Sequence, residues 1–253
     1  MIMKIFKEIA GRIWALWSSI FFIVTMLIFL VPFFLFCYFK KEPEKTNTFT
    51  RWSKLWIRSF MFLIASPLKV RGKENFVPGE NYIVLCNHNS FMDVPVTTPF
   101  IPGGNKTIAK IELSRIPVFG LIYKTGSILV DRKSDVSRKE SYAKMKEVLA
   151  MGLHMCIYPE GTRNKTSDPL KSFHNGAFRL ALDTGKSIIP ALIFNTRKVL
   201  PADKFFYAMP HRVEIHFLEP EATLPGESVE DLRDRIRKIM SDYFVRHNTK
   251  RKS

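Results

Sequence analysis

From Ile13 to Tyr38 the chain carries no charged residue, and this run limits the fold more than any other feature. Trp14, Trp17, Phe21, Phe22, Phe29, Phe33, Phe34 and Phe36 crowd it. It is longer than the roughly 20 residues needed to cross a hydrocarbon core. A cleaved signal peptide has a shorter apolar region and a small-residue cleavage site, and the run has neither. A soluble core helix is the other alternative, but it rarely runs this far without a polar face. The expectation is a membrane anchor. Pro32 would kink a spanning helix or mark the turn of a segment that dips in and returns.

Charge supports the same partner. The 253 residues carry a net charge of +16, so anionic surfaces are favoured, nucleic acid and membrane alike. Position decides between them. Lys4, Lys7, Arg12, Lys40, Lys41, Lys45, Arg51, Lys54 and Arg58 flank or follow the apolar run. Basic residues beside an apolar anchor suit anionic headgroups. No nucleic-acid motif accompanies them. Because both ends of the run are basic, the positive-inside rule assigns no orientation.

After a polar hinge at Lys40–Asn47, Phe49–Ala65 reads as an amphipathic helix stopped by Pro67. Arg51, Lys54 and Arg58 recur on one side, with Trp52, Leu55, Trp56 and Leu63 towards the other. Such a helix either lies in the membrane interface or packs on the domain that follows. From Val70 onward short apolar runs alternate with helical patterns. Strands are expected at Tyr82–Cys86, Thr107–Ala109, Ser127–Val130, Met155–Tyr158, Ile188–Phe194 and Val213–Phe217. Helices are expected at Ser137–Met151, Gly176–Thr184 (stopped by Gly185) and Ser228–Asn248, the last opened by a Ser228-x-x-Asp231 capping box. This predicts an α/β fold, a mixed sheet covered by helices and preceded by an N-terminal membrane-associated two-helix segment. The expected division is 1–66 for the anchoring helices and 67–253 for the catalytic domain.

The chemistry-bearing residues start at Cys86-Asn87-His88-Asn89-Ser90-Phe91-Met92-Asp93. Histidine is suited to taking a proton near neutral pH, and a carboxylate on its second nitrogen fixes the tautomer. On one continuous helix, positions five apart lie about 140° apart around the axis. The pair can therefore meet only if His88 is on a turn and Asp93 is in the first turn of a following helix, with Asn89 or Ser90 as a possible cap. Cys86, Cys156 and Cys37 form no disulfide or zinc pattern. His154 and Cys156 share a strand face, but two ligands are too few for a metal.

Three further segments follow in order: Lys110-Ile111-Glu112-Leu113-Ser114-Arg115-Ile116-Pro117-Val118-Phe119-Gly120, then Tyr158-Pro159-Glu160-Gly161-Thr162-Arg163, then Ser187-Ile188-Ile189-Pro190-Ala191. With the His-x4-Asp stretch, Arg71-Gly72-Lys73-Glu74-Asn75 and Ile128-Leu129-Val130-Asp131-Arg132, the set resembles the glycerolipid acyltransferase family, closest to its 1-acylglycerol-3-phosphate acyltransferases. The resemblance spans about Val70 to Phe217. It implies His88 as general base and Asp93 as its orienter. Lys110, Glu160, Gly161, Thr162 and Arg163 are implied on the substrate side, with Lys110 and Arg163 near a glycerol-phosphate headgroup. Arg163 offers a planar fork and Lys110 a point charge. Pro117 and Phe119-Gly120 shape a loop, and Ile188–Pro190 line the acyl or catalytic pocket. One departure is Phe173-His174-Asn175-Gly176, where the family often has a basic residue after the phenylalanine; His174 is given no role.

The activity implied is transfer of a fatty acyl group from acyl-CoA or acyl-carrier protein to lysophosphatidate, giving phosphatidate. Another lyso-lipid acceptor, such as a lyso-aminolipid, is the neighbouring alternative. A non-catalytic adaptor binding membrane lipids is the distant one. No metal or redox cofactor and no nucleic-acid partner is implied. The resemblance also implies a catalytic domain on the cytoplasmic face of the membrane, where the donor is found.

Overall fold

In this computed structural model residues 2–166 and 168–249 are described. The first element is a single long helix, α1 (Ile2–Phe36), of 35 residues. Its apolar run absorbs the preceding basic turns, and Pro32 lies inside it without ending it. At 1.5 Å per residue it is about 52 Å long. It is long and apolar enough to cross a membrane. Much of it faces outward, with Ile13 63% and Leu27 51% exposed, so it is not a soluble core helix.

A turn containing Pro43 reverses the chain into α2 (Glu44–Leu63), which starts earlier than the periodicity predicts. The two helices form a hairpin clasped by Trp56 Nε1–H donating to Thr25 Oγ1 at 3.0 Å, and by Trp17 Nε1–H to the Leu63 carbonyl at 3.1 Å. Of the two readings of α2, packing is the one observed. Trp56, Ile57, Phe60, Met61 and Ile64 are buried in the same apolar cluster as the sheet. The expected boundary at residues 66 and 67 is therefore no break in packing: α2 is a wall of the catalytic core.

The sheet comprises β1 (Leu68–Arg71), β2 (Ile83–Cys86), β3 (Asn105–Lys110), β4 (Ser127–Val130), β5 (His154–Ile157), β6 (Ile188–Phe194) and β7 (Val213–Phe217). Their order is β1-β7-β6-β2-β5-β3-β4. The five strands from β6 to β4 are parallel; β7 runs antiparallel to β6 and parallel to β1. The mixed sheet is the one expected. β1 was missed because its alternating half-buried Leu68-Lys69-Val70-Arg71 is too short to register as an apolar run.

Strand periodicity of two divides the core. Val84, Cys86, Cys156, Ile189, Ile193 and Ile215 face the hairpin, together with the short α3 (Asp93–Thr97) and α4 (Phe119–Gly126). Ile83, Leu85, Met155, Ile157, Ile188 and Leu192 face α5 (Asp135–Ala150), α6 (Gly176–Thr184) and α8 (Val229–Thr249). A single turn, α7 (Thr196–Val199), follows β6. Gly185 closes α6 in the left-handed region at φ 64°. At the start of α8, Ser228 Oγ accepts the Asp231 N–H at 3.1 Å, as the capping pattern predicts. Near its end, Tyr243 OH meets His216 Nδ1 at 3.0 Å, docking the helix on β7.

Ile188–Pro190, expected as pocket lining, lie inside β6, paired with β2 on one side, and the side chains of Ile188 and Ile189 belong to the two cores.

Candidate active site

The five parallel strands end together, and the loops at their carboxyl ends gather the polar residues that the core excludes. This edge is where open α/β sheets bind ligands. Asn87 anchors the first loop. Its amide nitrogen donates to the Ile193 carbonyl at 3.1 Å, and its Oδ1 accepts the Ile193 N–H at 2.7 Å. His88 then leaves the strand on a turn, and Asp93 opens α3, the arrangement that the spacing demands.

Asp93 is fully buried, and its carboxylate is surrounded by donors. Oδ2 faces His88 Nδ1 at 2.8 Å and accepts the amides of Asn89 and Ser90 at 2.5 and 2.7 Å. Oδ1 accepts the Thr196 hydroxyl at 2.5 Å. Ser90 Oγ accepts the Met92 N–H at 3.3 Å at the entry to α3, the capping role expected of Asn89 or Ser90, and Asp93 returns the bond by accepting the Ser90 amide. A carboxylate oxygen accepts, so His88 Nδ1–H is the donor to Asp93 Oδ2 and Nε2 is left as the free acceptor. The ring stays 19% exposed and leans on Tyr158, ring centroids 4.8 Å apart.

Glu160 was expected on the substrate side, and the structure places it underneath. Only 2% exposed, it accepts the His88 N–H on Oε1 at 2.7 Å and the Lys171 N–H on Oε2 at 3.0 Å. Burial raises its carboxyl above the ordinary carboxylate range, an effect only partly offset by the two amides. Its carboxylate braces the His88 turn against the loop at Lys171. The Asn164 N–H donates to the His88 carbonyl at 2.6 Å, adding a second tie.

Gly161 turns the chain at φ 67° with its N–H on the Tyr158 carbonyl at 3.0 Å, so that amide is already engaged. A Cβ here would come within 2.8 Å of the His174 ring. His174 therefore belongs to the site's wall, although its sequence gave it no role; no spacing rule links it to Gly161. Arg132 is another residue with no role assigned in advance. Its guanidinium donates to the Gly161 carbonyl at 2.6 Å. Thr162 is exposed and accepts from Lys171 Nζ at 2.6 Å. The Arg163 guanidinium stacks over the ring of Phe91, inside the His88–Asp93 turn, at 3.5 Å. That contact brings one of the two expected headgroup cations beside the histidine loop.

Lys110 is exposed at the end of β3. Register places Val84, Cys156 and Thr107 side by side, which sets Lys110 level with Asn87. Two strand spacings separate them, roughly 10 Å. Cys86 is fully buried; burial, then the neighbouring Cys156 thiol, push its pKa well up, away from a thiolate.

Beside the site lies an apolar cavity of about 530 Å³ between the hairpin and the sheet. Phe22, Trp56, Phe60, Pro95, Phe119 and Ile122 line its walls, and Phe91 and Met92 join it to the histidine turn. Its volume is in the range of ligand clefts. The helix α4, expected only as loop, supplies one wall because Gly120 sits so close to the Ser114 carbonyl that a Cβ would clash at 2.3 Å.

Fold and site together define a class: an α/β enzyme with a histidine–carboxylate pair at the carboxyl edge of its sheet, flanked by cationic side chains. The chain belongs to the acyltransferase family, whose family model matches residues 67–194. It is 30% identical over 204 residues to 1-acyl-sn-glycerol-3-phosphate acyltransferase alpha of Homo sapiens, covering 76% of this chain and 68% of that protein. It is 33% identical to the 1-acyl-sn-glycerol-3-phosphate acyltransferases of Borreliella burgdorferi, over 55% of this chain and 56% of that one, and of Cocos nucifera, over 55% and 45%. The chain thus spans between 45% and 68% of the length of these curated relatives. The crystal structure of the 1-acyl-sn-glycerophosphate (LPA) acyltransferase from Thermotoga maritima superposes with a TM-score of 0.80 at 22% identity, covering 95% of this chain and 97% of that one. That likeness establishes the fold.

Proposed function

We propose that the chain transfers a fatty acyl group from a thioester donor, acyl-CoA or acyl-carrier protein, to the free hydroxyl of lysophosphatidate, giving phosphatidate. The observation that carries the reading is the His88 Nδ1–Asp93 Oδ2 contact of 2.8 Å, which leaves Nε2 for the acceptor. The hydroxyl oxygen attacks the thioester carbonyl while its proton passes to Nε2. The tetrahedral intermediate then collapses, the carbon–sulfur bond breaks, and His88 returns the proton to the departing thiolate. No group other than the two substrates is called for. Arg163 and Lys110 hold the phosphate, and the cavity beside Phe91 takes an acyl chain. The relatives, 1-acyl-sn-glycerol-3-phosphate acyltransferases, support the acceptor. Purified protein offered lysophosphatidate and other lyso-lipids with a labelled acyl donor tests it. Phosphatidate should dominate, and Arg163→Glu should abolish that product; preference for a phosphate-free acceptor would refute the headgroup assignment.

Packing along α1 supports a membrane reading of the same proposal. Contacts along α1 run from the Glu8–Lys204 pair to Phe33, whose ring meets Phe49 at 5.9 Å between centroids. Those residues span about 38 Å of helix, more than the ~30 Å hydrocarbon core. A helix held against its own domain over that length lies along the membrane surface, apolar side down, with the catalytic domain on the cytoplasmic face. Thiol reagents supplied from that face should reach labels at both ends of α1. Reach to one end only would restore a spanning anchor.

A further inference from the structure

The chain after β6 makes a closed excursion between the catalytic turn and the anchor helix. At its start, Thr196 holds Asp93, and the Leu200 carbonyl accepts the Ser90 hydroxyl at 2.8 Å. At its end, the Ala208 N–H donates to the Gly11 carbonyl of α1 at 3.0 Å. The Met209 N–H closes the base on the Val199 carbonyl at 3.0 Å. Tyr207 packs directly on Gly11, where a Cβ would fall 2.1 Å from its ring. Lys204 pairs with Glu8 of α1 and lies over the Tyr207 ring at 4.0 Å. The loop is fixed at both ends, and its tip is Lys204–Phe206.

All three tip residues are exposed. Phe205 is 90% exposed, the highest value for a large apolar side chain among the described residues. Phe206, held in the left-handed region at φ 47°, is 44% exposed while also lining the cavity. A lone exposed phenylalanine on a soluble surface needs no explanation; one continuous with a larger apolar surface does. Here that surface is the first turns of α1, where Ile5, Phe6 and Ile9 are 52%, 72% and 55% exposed around the Glu8 that Lys204 grips. Lys4, Lys7 and Arg12 on the same turns supply cations at the rim. An apolar tip framed by cations matches an anionic bilayer surface.

We infer that the Lys204–Phe206 tip is a second membrane contact: Phe205 enters the headgroup–acyl boundary beside the first turns of α1, with Lys204 at headgroup level. This rests on the reading of α1 as an anchor lying along the surface. Because the stem of the same loop holds Ser90 and Asp93, the contact fixes the height of the catalytic turn above the bilayer.

The test uses the full chain with Phe205→Cys carrying an NBD dye, added to phosphatidylcholine vesicles containing phosphatidylglycerol. The native cysteines Cys37, Cys86 and Cys156 are all buried. Val136→Cys on α5, 66% exposed in the native chain, is the reference position. On vesicle binding, emission from position 205 should shift to the blue, resist aqueous iodide and be quenched by lipid carrying a shallow doxyl group. The label at 136 should do none of these. Sedimentation of the same samples separates the failures. Vesicle-bound protein whose label at 205 stays open to iodide overturns the tip contact and leaves the α1 anchor standing. Protein that remains in the supernatant overturns both. A blue shift that needs no vesicles and grows with protein concentration makes a second copy the occupant and overturns the proposal as well.

Discussion

His88 and His154 sit at opposite edges of one sheet and are held in opposite ways. At the carboxyl edge, His88 has one nitrogen on Asp93 and the other open, with its ring partly exposed. At the amino edge, His154 starts β5, is 5% exposed, accepts the Tyr82 N–H on Nδ1 at 3.0 Å and also bonds the Pro102 backbone. Nearby, Asn81 closes the same edge by donating to the Leu149 and Leu153 carbonyls at 2.7 and 2.9 Å. One edge ends its strands in loops whose polar groups are preorganised around an unfilled acceptor. The other commits His154 and Asn81 to backbone. The contrast shows that residue type does not mark a site; an uncommitted lone pair beside a fixed carboxylate does.

The largest expected effect breaks the comparison at His88. His88→Ala should lower kcat by on the order of 10²–10⁴-fold, the worth of a positioned general base, with little change in melting temperature. Asp93→Asn should be almost as harmful, because it offers the wrong partner to the imidazole. Steady-state kinetics with calorimetry on the same preparations check both. Near-normal turnover by His88→Ala would remove the mechanism.

His154→Ala should give the opposite pattern. It leaves the buried Tyr82 N–H unpaired and opens a void, costing on the order of 2–4 kcal/mol of stability. Activity per folded molecule should be unchanged. The same residue gives a pH signature. Burial pushes the His154 imidazole down to about 4, and His216 likewise to about 4. Unfolded histidine titrates near 6.5. Above that pH both states are neutral; below it the unfolded chain takes protons that the folded one refuses. Stability should therefore fall as pH drops from about 6.5 towards 4, and level off beneath. Denaturation midpoints across that window should show a shallower decline in His154→Gln, with the remainder due to His216. An unchanged slope would mean that His154 is already charged in the native state.

Arg163→Ala comes next in size. It should raise KM for lysophosphatidate far more than KM for the acyl donor, by on the order of 1.5–3 kcal/mol, the range of a charge-assisted hydrogen bond. Arg163→Lys should recover little, because an ammonium cannot lie flat on Phe91. A rise confined to the donor's KM would move Arg163 to the donor's phosphates.

The smallest effect concerns the cavity that joins the carboxyl edge at Phe91. Ser53→Leu on α2 fills part of its wall. Preference for longer acyl chains should fall by about 0.8 kcal/mol for each methylene excluded. Competition between donors of different length reads this directly.

Much of this was written in the sequence, for local reasons. Three of the six strands read from the sequence, Ser127–Val130, Ile188–Phe194 and Val213–Phe217, have the observed bounds: Ile188–Phe194 is a continuous apolar run buried throughout, and in Val213–Phe217 the apolar residues alternate with Glu214 and His216. The geometry of His88 and Asp93 followed from helix arithmetic, which forbade any other meeting. Tertiary structure decided the rest, because it alone sets which carbonyls and amides are left over. Nothing in Glu160 or His174 by itself shows that one lies beneath His88 and the other behind Gly161. Thr196, a hundred residues from Asp93, could not be foreseen as its partner. The amphipathic pattern of α2 fitted two surfaces equally, since a membrane interface and a sheet both accept one apolar face. Packing of Trp56 and Phe60 on the core chose between them, and so gave the chain its cavity. Periodicity fixes which side of an element is apolar; only long-range contacts determine what that side meets.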